Sequence, residues 1–358
     1  MAKLTVSRRK SLLCFWLRLF CFVLLTLTML FYANYVLTPK HDYGICSMVN
    51  LYRQEPDSID VLAVGTSLVY AGVNTNVLWA EHGIAAYDLC SAEQPFWISY
   101  YAIREALKTQ RPKVILLDAK PATYPLDYST RGRVILSTYG MRGIENRVGA
   151  TLASVRRSSD ALGYLLALPQ VHSNYAKLTA EDFRYPLDNG GRGSDWKGFI
   201  EEDRVESHQR PSLVWNSVKR NINEREEAYA EKIFELAKDE GIPLILIGMP
   251  NPDYAHDHMY YNALASLAEE YGMLFWNYND PSLRYGLRYS TDFADWQHLN
   301  VKGSVTFSKK LGQDLSELLE LPDHRGDDAY DSYERCARTW YERYPLFESS
   351  GIKGEEQL

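Results

Sequence analysis

What most constrains this chain is an alternation: five short apolar runs, separated by stretches with helical periodicity. The runs are "IDVLAV" (Ile59–Val64), "IAAYDL" (Ile84–Leu89), "VILLD" (Val114–Asp118), "IPLILIGMP" (Ile242–Pro250) and "MLFWN" (Met273–Asn277). Between them, Phe96, Tyr100, Ile103 and Leu107 recur at helical spacing, as do Ala230, Ile233, Phe234 and Ala237, and then Leu264, Leu267, Ala268 and Tyr271. Gly83, Gly241 and Gly272 stand where helices stop. A last helix around Val301–Leu319 carries Phe307, Leu311, Leu315 and Leu318. Continuous apolar strands alternating with helices indicate a parallel sheet covered on both faces. The expected fold is therefore an α/β three-layer sandwich with a five-stranded parallel sheet.

The first 37 residues contain no Asp or Glu but hold Lys3, Arg8, Arg9, Lys10 and Arg18. From Leu19 to Leu37 the chain is apolar apart from Thr26, Thr28, Asn34 and the tyrosines, long enough as a helix to cross a ~30 Å hydrocarbon layer. The basic flank predicts a cytoplasmic N-terminus and an extracytoplasmic remainder. A cleaved signal peptide is the competing reading, but the run is long and "YANYVL" makes a poor cleavage site. Without those five basic residues the remainder has 34 Lys and Arg against 46 Asp and Glu, net −12, a poor match for nucleic acid. Residues 1–38 are read as basic tip and anchor, 39–325 as the α/β domain with an insertion around 125–220, and 326–358 as a charged tail. The insertion contains a helical stretch near Ile144–Leu168 and a flexible "DNGGRGSDWKG", a lid over one sheet edge; in the tail, "YDSYERCARTWYERY" reads as one surface helix. Cys46, Cys90 and Cys336 lie beyond the anchor and show no metal-like spacing, so their pairing stays open.

Ligands of open α/β sheets bind beyond the carboxyl ends of the strands. The first strand ends in "VGTS", the second in "DLCSAEQ", the third in Asp118 and the fourth in "GMPNPD", while "DFADWQHLN" follows the fifth. Ser67 and His298 thus fall on one face, although 231 positions apart. A serine hydroxyl becomes a useful nucleophile when a base takes its proton, and the base works better with its tautomer fixed by a third group. Asp295, three residues before His298 in a turn entering a helix, has the spacing for that task. Asp292 reads as a cap or a solvent contact.

"VLAVGTSLVYAG" followed far downstream by "DFADWQHLNVKGSVTFSKKLG" resembles the SGNH/GDSL hydrolase superfamily over roughly Ile59–Leu319. It looks most like the membrane-anchored cell-envelope members, relatives of proteins that acylate alginate or D-alanylate teichoic acids. The resemblance implies an SGNH/flavodoxin-like fold, with Ser67, His298 and Asp295 as the catalytic set. It also implies an acylated glycan substrate, a membrane-bound acyl donor system for transfer, and no cofactor. Two departures concern the oxyanion hole. Cys90, Ser91 and Ala92 stand where the family has a glycine after the second strand, and "DAKPATYP" lacks the family's Gly-x-Asn-Asp. Donors are then expected from the backbone of Ser67 or Leu68, from a backbone N–H near Ser91, and from the Gln94 side chain.

Each residue also has a plainer reading. Ser67 alone fits a structural turn, His298 and Gln94 fit helix caps, and Asp118 fits a contact with a neighbouring helix as well as a place near substrate. Phe96, Trp97, Tyr100 and Tyr101 have core spacing. His256 and His258, two apart on a helix, point to different faces and do not suggest a shared metal. The leading expectation is a serine esterase, with O-acyl transfer as the alternative outcome at the same site. A catalytically inactive glycan-binding or scaffold protein is the rival from another class, supported by the incomplete oxyanion set. A glycosidase would need paired acids, and only Asp118 and Asp295 could be nominated.

Overall fold

The computed structural model describes residues 2–38, 43–184, 196–212 and 215–347. Five strands, β1 (Val61–Gly65), β2 (Ala86–Cys90), β3 (Val114–Asp118), β4 (Leu244–Gly248) and β5 (Leu274–Asn277), form one sheet in the order β2-β1-β3-β4-β5. Every pairing is parallel. The strands lie in the five apolar runs, and β1 to β4 are buried along their whole length. Burial on both faces is why they read as continuous apolar segments.

The helices are α1 (Ala2–Leu37), α2 (Ile45–Leu51), α3 (Ser67–Gly72), α4 (Thr75–His82), α5 (Phe96–Ala106), α6 (Arg131–Thr138) and α7 (Ile144–Ser154). Three short ones, α8 (Ala161–Leu165), α9 (Leu168–Val171) and α10 (Ala180–Arg184), precede α11 (Glu224–Glu240), α12 (Tyr254–Glu270), α13 (Val301–Leu318) and α14 (Asp331–Arg343). One face of the sheet packs on α5, α11 and α12 through Phe96, Ile103, Ile233, Phe234 and Leu264. The other packs on α3 and α13 through Leu68, Val69, Phe307, Leu311 and Leu315. Each such buried side chain contributes about 1.5–3 kcal/mol relative to exposure.

The helix ends follow from local chemistry. Asn74 accepts from the N–H groups of Asn76 and Val77 to open α4, and Asn223 caps α11 by accepting from Arg225. Glu224, Glu226 and Glu227 lie in the first turn of α11 and Lys238 in its last, matching the helix dipole. Gly241 ends α11 at φ 67, a left-handed conformation that glycine takes without strain.

α1 contains one segment, Ser11–Leu37, with the length and hydropathy of a membrane span or a signal sequence. Its end is not isolated: Asn34 Nδ2 donates to Tyr139 Oη, and Asn174 Nδ2 donates to Leu37 O. The helical stretch expected over Ile144–Leu168 is broken after Ser154, since Val155 takes an extended conformation. Most of "DNGGRGSDWKG" lies outside the described residues. Its last three are seated: Trp196 and Lys197 are buried, and a side chain on Gly198 (φ 90) would strike the Asp88 carbonyl.

Residues 331–343 do form one helix, but it is more than a surface element. Tyr333, Ala337, Trp340 and Tyr341 are buried, and Trp340 packs with Val77 and Ala80 of α4. Trp79 Nε1 donates to Glu334 Oε2 at 2.8 Å across the same contact.

Candidate active site

β1 and β3 are neighbours at the switch point of the sheet, and the chain leaves β1 through Gly65 and Thr66 into Ser67, the first residue of α3. Thr66 has extended backbone and caps α3, its Oγ1 accepting from Leu68 N. Asp118, fully buried at the end of β3, accepts from both Thr66 N and Thr66 Oγ1 and, at its other oxygen, from Lys120 N. Burial pushes the Asp118 carboxyl above its ordinary value, opposed by those hydrogen bonds and by Lys120. A methyl group on Gly65 would collide with the Asp118 side chain, so glycine is required for the two strands to close at this corner. Asp118 therefore anchors the serine turn from behind, with both carboxylate oxygens engaged by Thr66 and Lys120 N.

His298 approaches from "DFADWQHLN". Phe293 and Leu299 form an isolated antiparallel bridge, and Ala294 N donates to His298 O, closing a tight loop between them. Asn300 then caps α13 by accepting from Gly303 N. His298 Nε2 lies 2.8 Å from Ser67 Oγ, and its Nδ1 lies 2.9 Å from both Asp295 oxygens. Asp295 Oδ1 also accepts from the backbone N–H groups of Gln297 and His298. Burial pushes the Asp295 carboxyl up, but these N–H groups and the imidazole outweigh it and hold it below the usual carboxylate range. Asp292, by contrast, is buried, accepts from Arg288 N and the Thr291 hydroxyl, and pairs with Lys302.

Sequence reasoning missed a strap in the insertion. Ile200 N donates to Tyr70 O on α3, and Val301 N donates to Glu202 O. Glu206 N then donates to Phe293 O, and His208 N donates to Tyr289 O. Arg204 lies 3.6 Å from Asp295 Oδ2. The segment is extended and charged, with no periodicity that would have marked it. Tyr70 is a second unforeseen neighbour: its phenol interacts with the Ser67 side chain, and its ring stacks on Tyr43 at 5.0 Å. Burial raises the Tyr70 hydroxyl's pKa, with Tyr43 and Glu202 adding to the effect.

The expected oxyanion donors are placed as follows. Ser91 N donates to Gly65 O and Ser91 Oγ contacts Ser137 Oγ. Gln94 is buried, with Nε2 directed at Leu89 O and Ser99 Oγ. Leu68 N is taken by Thr66 Oγ1. The Ser67 amide donates to no group among the described residues. A cavity of about 460 Å³ is lined by Tyr43, whose ring stacks on Tyr70, and another of about 230 Å³ by Trp97 and Tyr128, with Thr130 and Arg133 lining both. His256 Nδ1 contacts Asp253 Oδ1, and His258 Nδ1 contacts Ala255 O.

Fold and site together define a parallel α/β protein with a Ser-His-Asp hydrogen-bonded chain at the carboxyl edge of its sheet. No family model and no curated protein matches the chain. Among solved structures, it is similar to a candidate acylhydrolase from Bacteroides fragilis NCTC 9343, at 12% identity and a TM-score of 0.36, over 74% of this chain and 90% of that one.

Proposed function

We propose that the chain is a serine acylhydrolase of the SGNH type, anchored by α1 and acting outside the membrane on O-acyl groups of a cell-envelope glycan. The observation that carries this reading is the continuous chain Ser67 Oγ, His298 Nε2, His298 Nδ1, Asp295 carboxylate, with contacts of 2.8 and 2.9 Å. Those distances are what proton transfer from a nucleophile to an oriented base requires. His298 Nε2 would take the Ser67 proton as Oγ attacks the ester carbonyl, then return it to the departing glycan oxygen. Asp295, held ionised, fixes the tautomer with the proton on Nδ1 and stabilises the imidazolium. The Ser67 N–H is the backbone donor available to the developing oxyanion.

Trp296, more than half exposed and two residues from His298, supports a glycan, since a flat aromatic face beside the site suits a sugar ring. Transfer is the second reading, favoured by the helix that would hold the site close to a membrane-bound acyl donor. In that case Ser67 would take the acyl group from the donor, whose own oxygen or sulfur leaves with the proton from His298, and a glycan hydroxyl rather than water would resolve the acyl-enzyme. An inactive binding protein would have no need of the aligned hydrogen-bond chain.

The test is covalent labelling of the detergent-solubilised chain with a fluorophosphonate. Wild type should label, while Ser67→Ala and His298→Ala should not. A folded wild type that fails to label, or labelling that survives Ser67→Ala, overturns the assignment. Release of acetate from an acetylated glycan, measured with and without a sugar acceptor, then separates hydrolysis from transfer.

A further inference from the structure

A cavity of about 450 Å³ with no catalytic residue in its lining lies where α1 meets the insertion. Phe31, Tyr35 and Thr38 line one side and Tyr139, Arg142 and Arg147 line the other. Neither Arg142 nor Arg147 has a carboxylate within ion-pair distance among the described residues. The nearby acids are engaged elsewhere: Glu145 pairs with Arg104, and Glu105 meets Lys108, Tyr52, Asn146 and Gly143 N.

Arg147 is half-buried with its guanidinium 4.6 Å from the Tyr139 ring centre. One nitrogen donates to Leu165 O, while its buried Nε has no partner among the described residues. Arg142 is exposed, stacked over the Tyr52 ring at 4.4 Å. A guanidinium withdrawn from water without an anion costs stability, and desolvation does lower the Arg147 pKa. This half-buried guanidinium and the exposed Arg142, both lining a partly apolar cavity, suit an anion that carries its own apolar body.

The position of the cavity identifies the source of that anion. Phe31 and Tyr35 belong to the last turns of the apolar segment Ser11–Leu37, so with α1 in a bilayer the cavity opens at the edge of the hydrocarbon layer. We infer that this cavity is a binding site for the phosphate-bearing head group of an anionic membrane lipid, with Arg142 and Arg147 on the phosphate and Phe31 and Tyr35 against the first carbons of its chains. The inference rests on α1 as a membrane anchor and is independent of Ser67 chemistry. Its occupant would fix the height and tilt of the α/β domain over the bilayer.

The experiment uses the full chain in a neutral detergent, its intact mass showing whether α1 is retained. Phosphatidylglycerol, phosphatidylcholine and inorganic phosphate are titrated separately, with retained lipid read by native mass spectrometry and stabilisation by melting temperature. Phosphatidylglycerol should bind and stabilise, and the zwitterionic lipid and millimolar phosphate should not. Arg142→Gln with Arg147→Gln should weaken retention about tenfold or more, and Arg142→Gln alone, at an exposed position that leaves the core intact, should weaken it measurably. Equal binding of both lipids, undiminished binding by folded variants, or equal protection by free phosphate would each overturn the assignment. So would cleavage of the chain before Tyr35. None of these outcomes bears on fluorophosphonate labelling.

Discussion

Asp118→Asn tests whether the serine turn depends on the neighbouring strand. The carboxylate accepts three hydrogen bonds in a fully buried corner, two from Thr66 and one from Lys120 N. An amide keeps one acceptor oxygen. If that oxygen stays on Lys120 N, the new NH2 faces the Thr66 N–H, and a buried donor is orphaned at about 1–3 kcal/mol. Relief from burying a charge offsets part of this, because burial already raises the Asp118 pKa. The net expectation is a loss toward the lower end of that range, on the order of 1 kcal/mol, read from the midpoint of a denaturant titration at unchanged slope. The catalytic consequence should be larger. Thr66 Oγ1 couples Asp118 to Leu68 N, so a relaxed Thr66 shifts Ser67 relative to His298 Nε2. A misplacement near 1 Å costs on the order of 10²-fold, so kcat for a p-nitrophenyl ester should fall roughly 10- to 100-fold with little change in KM. Thr66→Val, which removes the bridging hydroxyl, should give a smaller loss that couples to the first in a double-mutant cycle. A variant within about 0.3 kcal/mol of wild type and with its kcat would refute the linkage of Asp118 to the serine.

Three further outcomes follow from buried or coupled groups. Asp88 is buried with neither carboxylate oxygen partnered among the described residues, and burial alone pushes its pKa well up. Its favourable contribution is full below the unfolded value near 3.9 and is lost as pH rises through the folded pKa, so Asp88→Asn should flatten that decline and melt higher at neutral and alkaline pH; parallel wild-type and variant curves would exclude Asp88 as the source. Trp340→Ala, emptying the contact of α14 with Val77 and Ala80, should cost about 3–5 kcal/mol and expose residues 331–343 to protease, whereas a loss under about 1 kcal/mol would mean α14 is not docked in solution. Asp295 has a lowered pKa, so its contribution is present above the unfolded value of about 3.9 and disappears as pH falls through the folded pKa. Asp295→Ala should therefore reduce kcat by roughly 10²–10⁴-fold at neutral pH with only a modest change in melting temperature, because the carboxylate is partly exposed.

The sheet was legible in the sequence because β1 to β4, covered on both faces, carry no alternation to confuse them with surface elements. All five runs contain a strand, with bounds within a few residues of those expected. The proximity of Ser67, His298 and Asp295 was legible for a related reason: parallel strands deliver their carboxyl ends to one edge, and an i, i+3 spacing in a tight loop brings Asp295 to Nδ1. What Asp118 does was not legible. An acid at a strand end looks the same whether it faces solvent or its neighbour, and only the adjacency of β1 and β3 turns it toward Thr66. Ser91 N has the same origin. Gly65 pairs with Cys90 in the parallel ladder, so the next amide falls on Gly65 O as one more rung. Gln94 follows Glu93, whose φ of 52 turns the chain before α5, and its amide then points into the core.

The insertion has a role that its composition conceals. Ser67 and His298 are 231 residues apart, and the sheet alone positions the β1 end that carries the serine but not the loop before α13 that carries the histidine. The extended segment from Ile200 to His208 touches both sides: Ile200 bonds to α3 just after the serine, Glu202 to the start of α13, and Glu206 and His208 to the loop that holds the histidine. These are backbone bonds, indifferent to side-chain identity, so neither charge nor periodicity announces them. A loosened strap would leave the fold intact yet free the histidine loop to drift from Ser67, and the cost would appear in kcat before it appeared in stability.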